Sequence, residues 1–327
     1  MNFSAGPPIH VFISEARQGR AKSIEKVTRT LEELGYWAIT VPDHIISTGV
    51  AHLGRELEVN PDWRYADPIS MLAYFASVTT KMKLIPRVIV LPYRNPFHIA
   101  HAMATIDCLS GGRLIFGPAA GYEHKEFEAF GIPREERGKI ANEYLQIIIN
   151  LWTKESVTYS GNYYRFTDAS LLVKPVQKPR PQIWVGGNSR AGHTRAVKYG
   201  EGWTVNCAPF QRADPNVRNS LSREELIEEV AWSKEQRKAL GKPPLHFAVS
   251  CGAPIHVLDK SKWGRRSIES ISRFTCEGTP EELVEEFSAF RQAGADSFVV
   301  SFFGNTIEEY LHHATRFAKE VMPAFEG

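Results

Sequence analysis

The sequence predicts one α/β domain over residues 1–327, a (β/α)8 TIM barrel with insertion loops. Three observations carry this expectation. Apolar, strand-like runs alternate with helix-like periodicity almost to the C-terminus. Eight strand-to-helix units can be traced, more than an open doubly wound sheet needs. No linker, low-complexity stretch or supersecondary repeat divides the chain, and its 327 residues exceed the ~250 typical of such barrels by an amount that inserted loops can absorb.

Ile9 to Ile13 reads as the first strand. Ser23 to Leu34 reads as its helix, with Ile24, Val27, Leu31 and Leu34 at helical spacing and Gly35 as the stop. Trp37 to Val41 is the second strand. After a loop rich in Gly, Asn and Asp, Asp67-Pro68 opens a helix as an N-cap followed by proline at the first helical position. Lys83 to Leu91 is the third strand, and Asn95-Pro96 repeats the helix-start device before a helix ending near Cys108. Arg113 to Gly117 is the fourth strand, apolar from Leu114 on as suits burial on both faces. Its helix carries Ile140, Tyr144, Ile147, Ile148 and Leu151 on one face. Val157 to Phe166, turned at Ser160-Gly161-Asn162, reads as an inserted β-hairpin. Gln182 to Val185 and Ser189 to Tyr199 form the fifth unit. Trp203 to Asn206 is the sixth strand, and Ser222 with Glu225 makes a capping box for its helix. His246 to Ala253 is the seventh strand, followed by a basic, Ser-rich excursion over 259–273. Thr279 and Glu282, with Pro280 between them, box the next helix. Asp296 to Phe303 is the eighth strand, and Thr306 with Glu309 caps the last helix.

Composition narrows the function. The chain is 43% hydrophobic and 23% charged with a net charge of only +2, which supplies a core but no strong field, so neither nucleic acid nor a membrane surface is an expected partner. Cys108, Cys207, Cys251 and Cys276 show no C-x-x-C spacing, so disulfides and structural zinc are poorly supported and a reducing, cytoplasmic compartment is expected. The first twenty residues hold charges and Pro7-Pro8 but no apolar signal core, and no apolar run approaches the ~18 residues of a membrane span. Neither G-x-G-x-x-G, G-x-x-x-x-G-K nor G-x-S-x-G occurs.

In a barrel, chemistry sits at the C-terminal ends of the strands. Asp43 and His44 follow the second strand, and a histidine there can relay a proton near neutral pH with the neighbouring Asp holding its orientation. Arg87 and Val88 belong to the third strand. After the fourth come Pro118, Ala119, Ala120 and Gly121, small enough to let a planar group near the backbone, then Tyr122, Glu123, His124 and Glu126. Of these, Tyr122 and Glu123 are read as facing the chemistry, and the later charges as the start of a helix. Gly186, Gly187 and Asn188 follow the fifth strand, where amides at a helix N-terminus make a natural anion site. His98 and His101 share a helix face without the third ligand and glutamate of a zinc protease. His312-His313 and the Arg134 to Arg137 run read as ordinary helix surface.

Read together, Val41-Pro42-Asp43-His44, Leu91 to Pro96 (LPYRNP), Asp107 to Arg113 (DCLSGGR), Gly121-Tyr122-Glu123 with Glu126-Phe127 and Phe130-Gly131, Lys174 to Gln177, Ile183 to Ser189 (IWVGGNS) and Gly202-Trp203 resemble the bacterial luciferase-like flavin and deazaflavin oxidoreductases. Gly278 to Glu282 and Asp296 to Phe303 extend the resemblance over nearly the whole chain. It implies a TIM barrel, usually a dimer or higher oligomer, that binds reduced FMN or coenzyme F420 at its C-terminal mouth. His44 would lie against the ring with Asp43 beside it. A non-proline cis peptide of the third strand would fall near Arg87-Val88, although relatives often carry small residues where this chain has Pro86 and Arg87. Ala119, Ala120, Gly121, Tyr122 and Glu123 would border the cofactor, and Gly186, Gly187 and Asn188 would hold its phosphate. Arg113 and Asp107 would form a structural pair at the lower end. Tyr122 stands where sugar-phosphate-oxidising relatives carry an acidic residue, so that substrate is not implied.

With F420 the expected chemistry is hydride transfer; with reduced FMN it is oxygen activation and insertion of one atom into substrate. The Pro-Asp-His motif tips the choice slightly toward F420. Two alternatives compete with this reading. One is a metal-dependent TIM-barrel hydrolase or isomerase using Asp43, His44, Glu123 and His193; the other is a cofactor-binding protein without turnover. The loops at 47–65, 206–220 and 259–273, with Trp63, Tyr65, Phe210 and Trp263 among Arg and Asp, suggest a small, part-apolar organic substrate under mobile lids.

Overall fold

Eight parallel strands form a ring around a filled interior, and helices cover its outside. A computed structural model describes residues 1–46, 65–208, 220–261 and 272–326. In chain order the elements are β1 (Asn2–Gly6), α1 (Ile9–Arg17), α2 (Lys22–Glu33), β2 (Ala38–Val41), α3 (Pro68–Val78), β3 (Lys83–Pro86), β4 (Ile89–Val90) and α4 (Pro96–Leu109). Then follow β5 (Ile115–Phe116), β6 (Pro118–Ala119), α5 (His124–Ala129), α6 (Arg137–Thr153), β7 (Val157–Ser160) and β8 (Arg165–Ala169). The remainder is β9 (Gln182–Gly186), α7 (Arg190–Tyr199), β10 (Gly202–Asn206), α8 (Arg223–Ala239), β11 (His246–Val257), β12 (Glu277–Gly278), α9 (Pro280–Gln292), β13 (Ser297–Phe302) and α10 (Ile307–Glu320).

The barrel runs β3-β2-β1-β13-β11-β10-β9-β5. A parallel bridge between Leu84 and Leu114, with Leu84 N–H donating to Arg113 O at 3.0 Å, joins β3 to β5 and closes the ring. Outward-facing strand residues such as Phe3, Ile39, Val185 and Phe298 pack on the helices. A second, smaller cluster of Ala38, Ile85, Ile115, Trp184 and Ala248 fills the interior, where Trp184 stacks between Trp37 and His246 at 5.7 and 4.3 Å. Among the described residues, no helix is long and apolar enough to cross a membrane.

Helix starts agree with the local signals. Asp67 accepts from Ser70 N–H and Asn95 from Phe97 N–H, each before a proline. Ser222–Glu225 and Thr279–Glu282 are complete capping boxes. The expected hairpin forms as β7 and β8.

The first strand is a correction. Ile9 to Ile13 is helical, within α1, and β1 is the preceding Asn2–Gly6. Ile9, Val11 and Phe12 are the buried residues of α1, a helical stripe that resembles alternation over so short a span. β1 is short and carries Phe3 as its one large apolar side chain, yet it is held on both sides by β2 and β13. The third strand is not continuous either. It breaks after Pro86 at a cis bond between Arg87 and Val88, and its continuation β4 leaves the ring to pair with β6. The Arg113–Asp107 pair is also corrected: both are buried near the lower end, but Arg113 bonds the main chain around Thr79 and Asp107 bonds Gln177. Trp63, Phe210, Trp263 and most of the loops expected to hold substrate lie outside the described residues.

Candidate active site

The upper face of the barrel is floored by glycine. On β9 the inward position after Trp184 is Gly186, and on the fourth barrel strand the inward position after Ile115 is Gly117. Both are required by close approach: a Cβ on Gly117 would lie 2.0 Å from Pro86 O, and one on Gly186 would lie 2.3 Å from Val88 Cγ1. These two glycines let the Arg87–Val88 segment fold in across the strand ends, with Ile89 N–H bonded to Gly117 O at 2.7 Å. The non-proline cis bond thus lies at the position anticipated by resemblance. The platform so formed is bordered by Ala119 and by the β9–α7 turn.

One wall carries the titratable groups. His44, at the end of β2 and with only 12% of its side chain exposed, lies between Tyr65, Tyr122 and Glu126. Its Nδ1 is 3.0 Å from Glu126 Oε2, and its Nε2 is 3.0 Å from the Tyr122 hydroxyl. Glu126 also accepts from the N–H groups of Ile45 (2.8 Å) and Ile46 (3.3 Å) and from the Tyr93 hydroxyl (3.1 Å). Burial pushes this carboxyl up, but the bonds from His44 and the two amides, together with the field of His44, outweigh it and hold Glu126 below the ordinary carboxylate range. Glu126 is therefore an anion at neutral pH. Its demand for a donor assigns the His44 proton to Nδ1, which leaves Nε2 to accept from Tyr122. Burial, with Glu126 next, raises Tyr93 well above its ordinary value, so Tyr93 remains a donor.

Asp43 does not orient His44, as the adjacency suggested. Its buried carboxylate takes both forks of Arg94, at 2.6 and 2.8 Å, and the Val90 N–H at 2.8 Å. That set ties the end of β2 to the segment after the cis bond, holding the backbone that carries His44. The carboxylate that orients the imidazole is Glu126, which had been read as plain helix start. Its signal is its place in the first turn of α5 beside apolar Phe127: both are buried in an otherwise exposed helix. Glu123 is the half-buried N-cap residue of α5. Tyr122 has the contact with His44, and Arg134 Nε donates to its carbonyl at 3.3 Å.

At the other end of the mouth, Gly187 has φ +118°, a conformation costly for any residue with a side chain. Its carbonyl accepts from Trp203 Nε1 at 2.8 Å. The Asn188 carboxamide is engaged at both ends by the Asn206 main chain, at 2.8 and 3.0 Å, so it staples the turn to β10. Gly187 N–H already donates to Thr204 O at 3.3 Å, so what this turn offers an anion is the N–H groups that follow Gly187 and the start of α7, capped by Ser189 on Gly192 N–H. His193 is fully buried under α8, bonded to Glu229 at 2.7 Å and stacked on Trp203 at 3.7 Å. The four donors of the metal-dependent reading are thus dispersed, Asp43 to Arg94 and His193 to Glu229. Among the described residues, no group of three or more His, Cys, Asp or Glu is arranged to hold a metal.

Two variants probe these arrangements. Glu126→Gln removes an anion whose folded-state pKa is depressed. Its stabilising contribution is fully present above the unfolded carboxylate value and fades as pH falls through the folded one. The variant is therefore expected to unfold more readily than wild type at pH 7, with the gap narrowing below about pH 4, as read by urea midpoints at each pH. Gly187→Val is expected to weaken binding of a phosphate-bearing cofactor about tenfold or more, through the strained φ rather than a clash, since nothing lies within 4 Å of a Cβ there. Unchanged affinity, measured by titration, would remove the anion-site assignment.

Residues 1–262 match the family model of luciferase-like monooxygenases. The chain is similar to the FMNH(2)-dependent dimethylsulfone monooxygenase of Pseudomonas putida, 33% identical over 133 residues that make up 40% of this chain and 36% of that protein. It thus spans little more than a third of that relative. It is also similar to the 5,10-methylenetetrahydromethanopterin reductase of Archaeoglobus fulgidus, 28% identical over 273 residues, 70% of this chain and 80% of that one. A solved F420-dependent secondary alcohol dehydrogenase, in complex with an F420-acetone adduct, superposes over 100% of this chain and 99% of its own with a TM-score of 0.75 at 16% identity, a likeness of fold.

Proposed function

Because the chain belongs to the luciferase-like monooxygenase family, we propose that it is an oxidoreductase that uses coenzyme F420, in preference to FMN, for hydride transfer to or from a small, part-apolar organic substrate. The observation that carries this reading is the Tyr122–His44–Glu126 chain beside a glycine-floored mouth. When bound, the deazaflavin ring supplies or accepts the hydride, whereas reduced FMN would activate oxygen. Hydride exchange at a carbonyl or alcohol must be matched by one proton. His44 can take that proton at Nε2 through the Tyr122 hydroxyl and return it by the same path, because anionic Glu126 at Nδ1 stabilises the imidazolium. Asp43, through Arg94 and Val90 N–H, keeps His44 in place. Ala119, Ala120, Gly121 and Val88 border the ring, and the Gly186–Asn188 turn receives the phosphate on its amides. Glu123, at the mouth-side end of α5, is proposed to face the substrate. The protein is further proposed to act in the cytoplasm as a homodimer or higher homo-oligomer.

FMN-dependent monooxygenation is the second reading, favoured by the similarity to the FMNH(2)-dependent dimethylsulfone monooxygenase of Pseudomonas putida. Titration of the purified protein with FMN and with F420, followed by cofactor fluorescence, separates the two. Saturable quenching of F420 at micromolar concentration is expected. Quenching of FMN alone supports the second reading, and binding of neither overturns both.

A further inference from the structure

The mouth holds a cation that the proton relay does not use. From the end of β3, the Arg87 guanidinium reaches β10, where Nε donates to Thr204 Oγ1 at 2.9 Å and Nη2 donates to Asn206 Oδ1. Both acceptors are neutral. Among the described residues no carboxylate lies within ion-pair distance of Arg87, and its Nη1 donates to none of them. Arg94 is paired with Asp43, Arg180 with Glu201 and Arg190 with Glu229, whereas the buried Arg113, Arg195 and Arg237 are held, as Arg87 is, by neutral oxygens; what sets Arg87 apart is its place at the mouth of the barrel.

Arg87 is only partly open to solvent, and burial lowers its guanidinium to about 10, which leaves it charged at neutral pH. The titratable neighbour whose field reaches it is Cys251 on β11, and burial raises that thiol well above its ordinary value, so it stays neutral. A partly buried cation at the mouth, held only by neutral acceptors and with Nη1 unengaged among the described residues, can take its counter-charge from a ligand. The same residue forms the cis bond against which Gly117 and Gly186 make room.

We propose that Arg87 supplies the counter-charge for the anionic form of the bound cofactor ring, so that the site prefers the ionised ring over the neutral one. The inference rests on the reading that the mouth takes a flavin or deazaflavin. Such rings carry their negative charge delocalised over adjacent oxygen and nitrogen atoms, and a planar guanidinium with an unused Nη1 edge is suited to pair with that arrangement where an ammonium would meet it as a point charge.

The test is the ionisation of the bound ring, followed by its absorption across pH, for oxidised F420 and for anaerobically reduced FMN. Wild type, Arg87→Met and Arg87→Lys are compared. The wild-type complex is expected to ionise at lower pH than free cofactor. Arg87→Met should raise that value by about one unit, equivalent to a tenfold loss of preference for the anion, while affinity for the neutral ring changes less than about threefold. Arg87→Lys should recover part of the shift. If Arg87→Met does not fold, the wild-type comparison still decides: a ring that ionises no more readily when bound than when free overturns the proposal. Equal values in wild type and a folded Arg87→Met overturn it too, and leave the cofactor assignment standing. If neither cofactor binds wild type, the cofactor assignment itself fails, and Arg87's role with it.

Discussion

Replacing His44 with alanine is expected to lower the rate of hydride exchange about 10²- to 10⁴-fold, the range that a positioned general acid or base contributes. The loss should fall on turnover rather than on cofactor affinity. Tyr122 loses its partner on Nε2, and Glu126 keeps the amides of Ile45 and Ile46 and the Tyr93 hydroxyl. Folding should therefore survive, with the circular dichroism of wild type and a lowered thermal midpoint, because Glu126 loses the imidazole bond and field that help offset its burial. Single-turnover reoxidation or reduction of the bound cofactor, mixed with substrate in a stopped-flow instrument, reads the chemical step directly. A rate within about threefold of wild type would remove His44 from the proton path. Tyr122→Phe should cost less, because Nε2 then faces the mouth unobstructed.

The largest expected effect on stability comes from a residue far from that chemistry. Arg113, buried at the lower end of the barrel, donates to Ser110 O, Met82 O, Ala76 O, Thr79 O and Thr79 Oγ1, all at 2.7 to 3.0 Å. These bonds join the end of α3, the entry to β3 and the turn before β5, at the seam where the ring closes. Arg113→Ala leaves several buried carbonyls unsatisfied and opens a cavity. It should destabilise the protein by about 4 kcal/mol, toward the upper end of single substitutions. Against a net stability of order 5–15 kcal/mol, that is a large fraction. Arg113→Lys should recover less than half, since one ammonium does not span acceptors arranged for a fork. Denaturant midpoints at constant m-value report the difference.

Much of this was legible in the sequence, and the successes share a cause. Asp67-Pro68, Asn95-Pro96 and the capping boxes at Ser222 and Thr279 are decided by local backbone chemistry, and they form as anticipated. Strand-end residues could be ranked because a barrel puts its chemistry at one face. Failures arose where distant partners decide. β1 has little strand signal of its own and exists through its neighbours β2 and β13. Ile9 to Ile13 is too short to separate a helical stripe from alternation. Asp43 was assigned to its chain neighbour His44, whereas Arg94, 51 residues on, claims it. Glu126 lies 82 residues from His44, and only the fold turns it from a helix-start charge into the partner of the imidazole.

The glycine-floored mouth between β3, β5 and β9 is expected to receive the cofactor ring beside His44. A crystal structure of the protein with whichever of F420 or FMN binds tests this most directly. The ring is expected to lie against the Arg87–Val88 bond, with Tyr122 and His44 along one edge, the Arg87 guanidinium at its anionic edge, and the phosphate on the amides following Gly187. A ring bound elsewhere, such as the surface cleft of about 570 Å³ between α1, α2 and the start of α10 with Arg20 and Lys26 on its wall, would contradict it.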